Sequence, residues 1–263
     1  MNAYIYAAGQ GHRLGDAFQH RAKILLDIGG RSLLEWHALR LHEAGIREVR
    51  LVVGYQADAI CQAITPLEQR YSLRVLPIRN EDYAEGSVLS LHASLPWLLA
   101  ESQPTLLMDG DVLYPAEFLS RLIRSPHRTA LLIDRNYSTA DDDPVLVPVC
   151  QGKPVEFRKR WTGEADLVGE SIGFFKVDPA DLPELGQATV QRATGEARRQ
   201  SYDEVLRELV LQGRFGFEDV SGMPWTELDF PSDVEFALKS VLPRLGSSDR
   251  VGLSPARGHD PSA

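Results

Sequence analysis

Cysteine is scarce: Cys61 and Cys150 are the only two in 263 residues, and they lie far apart. No disulfide framework and no thiolate metal site is implied. Basic residues are in deficit, 28 against 37 acids, for a formal net charge of −9. A chain whose main partner is nucleic acid shows the opposite balance, although a local basic pocket for a small phosphate ligand is compatible with that sum. No apolar run is long enough to span a bilayer. The N-terminal stretch is too poor in apolar residues and too rich in glycine for a secretory leader. The seven histidines stand singly, without metal-ligand spacing, and no G-x-S-x-G elbow marks a hydrolase nucleophile. What remains, 43% hydrophobic and 25% charged, is an ordinary soluble composition. A cytoplasmic chain is expected, with no nucleic-acid partner and no membrane insertion.

The opening stretch carries the first positive signal. Tyr4-Ile-Tyr-Ala-Ala8 runs into Gly9-Gln-Gly11-His-Arg13-Leu-Gly15, and Lys23 follows. An apolar strand that breaks into such a turn can hold a nucleoside triphosphate. Glycines let backbone N–H groups approach phosphate oxygens, and Arg13 and Lys23 supply the charge. A Walker loop is excluded, because Lys23 comes eight residues after Gly15 with no hydroxyl behind it. The dinucleotide fingerprint is excluded too, since the third glycine falls one place late. A nicotinamide enzyme also needs a ribose-binding acid about twenty residues on. The nearest, Asp27, precedes the first clear helix. A turn of purely structural use stays open at this point.

Along the chain, apolar runs alternate with helical patterns. Strands are expected at 4–8, 49–53, 73–78, 105–108 and 129–133, and helices at 33–44, 87–99 and 115–124. Ser32 and Glu35 form a capping box and Gly45 ends the first helix. Pro96 marks a kink or end, and Pro115 suits a first turn. This alternation predicts an α/β fold, a doubly wound, mostly parallel mixed sheet of Rossmann-like character. After Asp134 the character changes. Segments 145–149 and 155–158 flank Gln-Gly-Lys as a hairpin, and strands follow at 172–177 and 215–219. Ser201 and Glu204 open a helix to Leu211, and Pro231 opens a last helix over 233–242. One domain over 1–245 is expected, with a nucleotide-binding half at about 1–134 and a β-rich acceptor-binding half at 135–230. Residues 246–263 read as a disordered tail.

Two acidic clusters stand out. Asp109-Gly-Asp111 follows an apolar strand, where ligands of open α/β sheets bind. Paired acids there suit an oxygen-seeking cation such as Mg²⁺, although a turn in which Asp caps backbone amides is the plainer alternative. Far along the chain, Glu227 and Asp229 alternate on an extended segment just before a helix. Asp233 is better read as a first-turn acid. Brought beside Asp111, the second pair completes a cation site that neutralises charge as an acceptor oxygen attacks phosphorus.

Together, Ala7-Ala8-Gly9-Gln-Gly11-His-Arg13-Leu14, Lys23, Asp109-Gly-Asp111, Glu170-Ser-Ile-Gly173 and Trp225-Thr-Glu227-Leu-Asp229-Phe-Pro231-Ser-Asp233 resemble the sugar-phosphate nucleotidyltransferase superfamily. Within it, the chain looks most like the phosphocholine cytidylyltransferase branch, with its aminoalkylphosphonate relatives. The likeness covers residues 1 to about 240. It implies a GT-A-type fold and a Mg²⁺-dependent reaction of CTP with a phosphorylated or phosphonylated small molecule, releasing pyrophosphate. It implies that Ala8, Gly9, Gly11, Arg13 and Asp109 hold the nucleotide, and that Lys23, Arg13 and Asp111 act at the reacting centre. It also implies base contact by Gly86, Ser87 and Ser90, and metal binding by Asp111, Glu227 and Asp229. Two departures stand out: Ala22 replaces the proline usual before the lysine, and Glu85-Gly86 stands where asparagine is common near the base-binding serine.

The acceptor site is expected from Asp134, Lys159, Trp161, Glu170, Tyr202 and Trp225. Aromatic walls with nearby carboxylates suit a quaternary ammonium, and Lys159 suits a phosphate. Asp141–Asp143 reads as a solvated loop. A different base, a sugar 1-phosphate acceptor, and a non-catalytic nucleotide-sensing module stay open as alternatives, as does a homodimer.

Overall fold

The computed structural model describes residues 1–14, 18, 21–137 and 144–245. Gly15, the acidic run 141–143 and the tail from Gly246 lie outside the described residues.

Four strands run parallel in the order β3 (Arg74–Arg79), β2 (Glu48–Val53), β1 (Ala3–Ala7), β4 (Thr105–Asp109). Beyond β4 comes the long antiparallel β9 (Leu167–Val177), then β6 (Thr129–Asp134) and, parallel to it, β10 (Phe215–Asp219). The hairpin β7 (Leu146–Cys150) and β8 (Lys153–Pro154) extends from β9. Its turn residues Gln151 and Gly152 both have positive φ, 50° and 72°, as a two-residue hairpin that follows the strand twist requires. The strand expected over 155–158 is mostly irregular, and only Arg158 bridges back to Leu146.

Alternation along the strands fills two cores. On one face, Ile5, Leu51, Met108, Leu132 and Phe174 meet α1 (Leu33–Glu43), α2 (Ala57–Tyr71) and α4 (Glu117–Arg124). On the other, Tyr4, Val52, Leu107, Leu131 and Phe175 meet α3 (Val88–Leu98), α5 (Leu182–Arg192) and α6 (Asp203–Leu211). The doubly wound, mixed sheet expected from the sequence is therefore the fold. Ser32 caps α1 through the Glu35 N–H at 3.1 Å, but the Glu35 carboxylate turns away to Arg70 and Tyr71, so the box is half formed. At α6, Ser201 Oγ accepts instead from the Asp203 N–H. Pro96 sits inside α3 near its end.

Two short strands decide the site. β5 (Val112–Leu113) pairs antiparallel with β11 (Thr226–Glu227), placing Glu227 opposite Val112. A third core of Leu14, Trp36, Leu113, Leu228, Val234 and Val241 holds this ribbon under α7 (Pro231–Phe236). The last helix expected over 233–242 starts at Pro231 and widens into a π-turn at Ala237–Val241.

Candidate active site

β1 lies between β2 and β4, so the chain leaves β1 in one direction and returns on its other side. This reversal is the switch point at which open α/β sheets bind ligands beyond their carboxyl ends. The loop after β1 and the Asp109-Gly110-Asp111 turn after β4 meet there. They line a cleft of about 1000 Å³.

The glycines of the first loop have separate reasons. A Cβ on Gly9 would meet nothing within 4 Å, so its backbone is open to the cleft. Gly11 has φ +63°, and a Cβ there would press on the Lys23 stem, with Cγ at 2.9 Å. Glycine at 11 thus lets the lysine pass beneath the loop. Ala22 has φ −54°, which suits proline, but its N–H donates to Gln56 Oε1 at 2.9 Å. Proline would forfeit that bond, which accounts for the first departure from the family pattern.

Lys23 Nζ donates to Asp111 Oδ2 at 2.8 Å and pairs with Asp229 Oδ1, and Arg13 Nη1 holds Asp229 Oδ2 at 2.9 Å. The two acidic clusters therefore converge on one ammonium. Burial alone would lower the Lys23 pKa, but Asp111 and Asp229 outweigh it and raise it. Burial likewise opposes the charge on Asp111, and Lys23 prevails, leaving that carboxylate below its ordinary value. Asp233 accepts the backbone N–H groups of Asp229 and Phe230 at 2.9 and 2.7 Å. It is the first-turn acid of α7, and it fixes the backbone that carries Asp229.

Asp109 has a different setting. Tyr202 OH donates to its Oδ1 at 2.5 Å, and its other oxygen lies where a Cβ on Gly173 would be. Gly173, at φ +77°, is thus glycine because the carboxylate needs the space. Burial, reinforced by Asp111, pushes Asp109 well above the usual carboxylate range despite the Tyr202 bond. Glu227 is also pushed well up, by burial and then by Asp111, Asp109, Asp229 and Glu170.

Most of the expected residues line this cleft: Ala8, Gly9, Gly11, Arg13, Lys23, Ser87, Ser90, Asp109, Asp111, Asp134, Lys159, Glu170, Tyr202, Trp225, Glu227 and Asp229. Two do not. Gly86 is turned from the cleft, and its Cβ position is filled by the backbone of residues 198–200, whose Arg198 carbonyl accepts the Gly86 N–H at 3.1 Å. Its smallness serves packing against that backbone. Trp161 stands off the cleft against Gly163. Tyr202 and Trp225 do line the cleft, but their polar ends are engaged, Tyr202 by Asp109 and Trp225 Nε1 by Asp134 Oδ2 at 2.8 Å. The sequence reading missed Asn80, which donates to Ser90 Oγ at 3.0 Å from the end of β3. It missed Asp203 as well, which lines the cleft and accepts from Ser201 Oγ at 2.7 Å. Asn80 stands seven residues before Ser87, and only the turn between β3 and α3 brings it back.

A model of the MobA-like NTP transferase domain matches residues 3–168. The chain belongs to the MobA-like NTP transferase family. The resemblance read from its motifs is borne out. Among curated proteins, it is 28% identical over 251 residues to "Bifunctional IPC transferase and DIPP synthase" of Rubrobacter xylanophilus, covering 92% of this chain and 52% of that protein. It is 25% identical to "2-aminoethylphosphonate cytidylyltransferase" of Lancefieldella rimae, covering 87% and 88%. The chain spans about half the length of the bifunctional relatives it matches. Among solved structures, the inositol-1-phosphate CTP transferase of T. maritima superposes with a TM-score of 0.72 at 19% identity, covering 93% of this family member and 97% of the other chain. Among the described residues, no helix is long and apolar enough to cross a membrane.

Proposed function

We propose that this nucleotidyltransferase-family chain transfers CMP from CTP to a small phosphorylated or phosphonylated acceptor, releasing pyrophosphate. The observation that carries the reading is the meeting of Lys23, Arg13, Asp111 and Asp229 beyond β1 and β4. The names of relatives that use CTP on phosphonates or phosphate esters support the choice of nucleotide and acceptor class.

The donor set fits Mg²⁺. Asp109, Asp111, Asp229 and Glu227 crowd one end of the cleft, where burial first, and then the neighbouring acids, raise Glu227. Among the described residues no three acids, histidines or cysteines gather closely enough to hold an ion unaided. Mg²⁺ takes one or two carboxylates and completes its shell with phosphate and water. Asp111 and Asp229 would hold it, with Glu227 beside them. The ion, when bound, would neutralise charge on the α-phosphate and leaving pyrophosphate.

The protein residues do the rest by position and charge. The Gly9–Gly11 backbone receives the triphosphate. Lys23 and Arg13 exchange carboxylate oxygens for phosphate oxygens and stabilise charge that grows as the acceptor oxygen attacks phosphorus. Ser87 and Ser90 face the base end. Lys159, Glu170 and Asp134 define the acceptor end, where a phosphate head and a cationic or hydroxylated tail find complementary groups.

Pyrophosphate release, measured with each of four nucleoside triphosphates against a panel of phosphorylated and phosphonylated alcohols and amines, tests this reading. Turnover that needs CTP and one such acceptor supports it. CTP binding without turnover on any acceptor would favour a nucleotide sensor instead.

A further inference from the structure

His37 is fully buried on α1 and is not among the residues that line the cleft, yet it reaches the acid turn. Its Nε2 lies 3.3 Å from the Gly110 carbonyl and its Nδ1 3.3 Å from Tyr114 OH. A carbonyl only accepts, so Nε2 carries the proton and Nδ1 accepts from the tyrosine. Burial holds the imidazole down at about 4, against a smaller opposing effect of the Gly110 bond, so the ring is neutral at working pH. It is therefore no acid–base group. The Gly110 N–H, for its part, donates to the Tyr6 carbonyl of β1 at 3.0 Å. Both polar groups of Gly110 are thus pinned, one by the sheet and one by His37. The next carbonyl, that of Asp111, accepts the Leu228 N–H at 2.9 Å. Leu228 is the residue between Glu227 and Asp229.

We infer that His37, oriented by Tyr114, is a positioning residue for the cation site: it fixes the Gly110 peptide and so the aim of Asp111 and, through Leu228, of Glu227 and Asp229. The inference rests on the proposed role of those acids. Groups that orient ligating carboxylates typically change metal affinity by about 10–100-fold when removed.

The test is Mn²⁺ binding in the presence of CTP, followed by electron paramagnetic resonance, beside the Mg²⁺ dependence of turnover. Wild type showing no protein-bound Mn²⁺ with CTP would overturn the cation site itself, before any variant is made. Given binding, His37→Leu is expected to weaken Mn²⁺ about tenfold and to raise the half-saturating Mg²⁺ by a similar factor. His37→Gln, which keeps an N–H donor toward Gly110, is expected to stay within about threefold of wild type. A merely structural histidine would lower thermal stability in the Leu variant and leave both metal readings unchanged, and that result overturns the inference. Where His37→Leu does not fold, Tyr114→Phe keeps the ring packing and removes the orienting hydroxyl. It is expected to weaken Mn²⁺ severalfold, and unchanged affinity there overturns the inference equally.

Discussion

Asp111 and Asp229, which follow strands far apart in sequence, grip the same Lys23 ammonium. The short ribbon of β5 and β11 makes this meeting possible, because it fixes Glu227 opposite Val112 and so brings the second acid segment onto the first. Replacing Lys23 by alanine leaves those carboxylates facing each other and removes the phosphate partner of the proposed reaction. Turnover should fall about 10²–10³-fold, the range seen when one preorganised stabiliser of developing charge is lost. Steady-state pyrophosphate release on the folded variant checks this, and a near-normal rate would make the loop structural. Asp111→Asn preserves shape while removing charge, and should abolish turnover in the same assay.

Gly173 was marked in the sequence only as part of Glu170-Ser-Ile-Gly173. Its φ of +77° and the Asp109 carboxylate in its Cβ space give it two reasons to be glycine. Gly173→Ala should cost about 1–3 kcal/mol from the backbone alone and should displace Asp109 from Tyr202. Urea unfolding checks the first effect. Loss of turnover beyond what unfolding explains checks the second.

Trp225 holds the buried Asp134 at the proposed acceptor end by its indole N–H. Trp225→Phe keeps the contact with Phe118 but removes a hydrogen bond to a charged group, worth about 1.5–3 kcal/mol. Roughly a tenfold or greater rise in acceptor KM is expected, with the KM for CTP unchanged. Equal changes in both would place Trp225 outside the acceptor site.

Glu156 is held below its ordinary value of 4.5, first by the hydrogen bonds of Arg207. Arg207 Nε and Nη2 engage both oxygens, the latter at 2.8 Å, tying the hairpin to α6 just beyond Tyr202. A depressed carboxylate stabilises the fold above its unfolded pKa, and that contribution disappears as pH falls through the folded value. Arg207→Met should therefore cost about 2 kcal/mol at pH 7, with the gap to wild type closing as pH falls below the ordinary 4.5 and through the lower folded value. Denaturant unfolding at several pH values measures it.

The legible parts of this molecule were those with local chemical cause. Apolar runs ending in glycines or acids gave the strand ends, so Gly9, Gly11 and Asp109–Asp111 could be placed from sequence alone. The helix Ala57–Tyr71 escaped because it starts from Gln56 at φ 51° with no side-chain cap and contains Pro66. The helix Leu182–Arg192 escaped because Pro183 and Gly186 interrupt its pattern. The packing of Gly86 on residues 198–200 was not legible, because a glycine beside serines looks the same whether it admits a ligand or a passing backbone. The place of Trp161 off the cleft was not legible, because an aromatic residue beside basic ones says nothing of which way the loop turns. His37 carried no signal, since its partner is a backbone carbonyl of another segment.

The most direct test of the central claim is phosphorus-31 NMR of the purified chain with CTP, Mg²⁺ and 2-aminoethylphosphonate or another acceptor found by pyrophosphate release. The account predicts a new pair of coupled signals from a phosphorus–oxygen–phosphorus linkage between CMP and the acceptor, growing in step with free pyrophosphate and absent in Asp111→Asn. Unchanged CTP, or CMP and pyrophosphate without any acceptor-linked product across the whole panel, would contradict it.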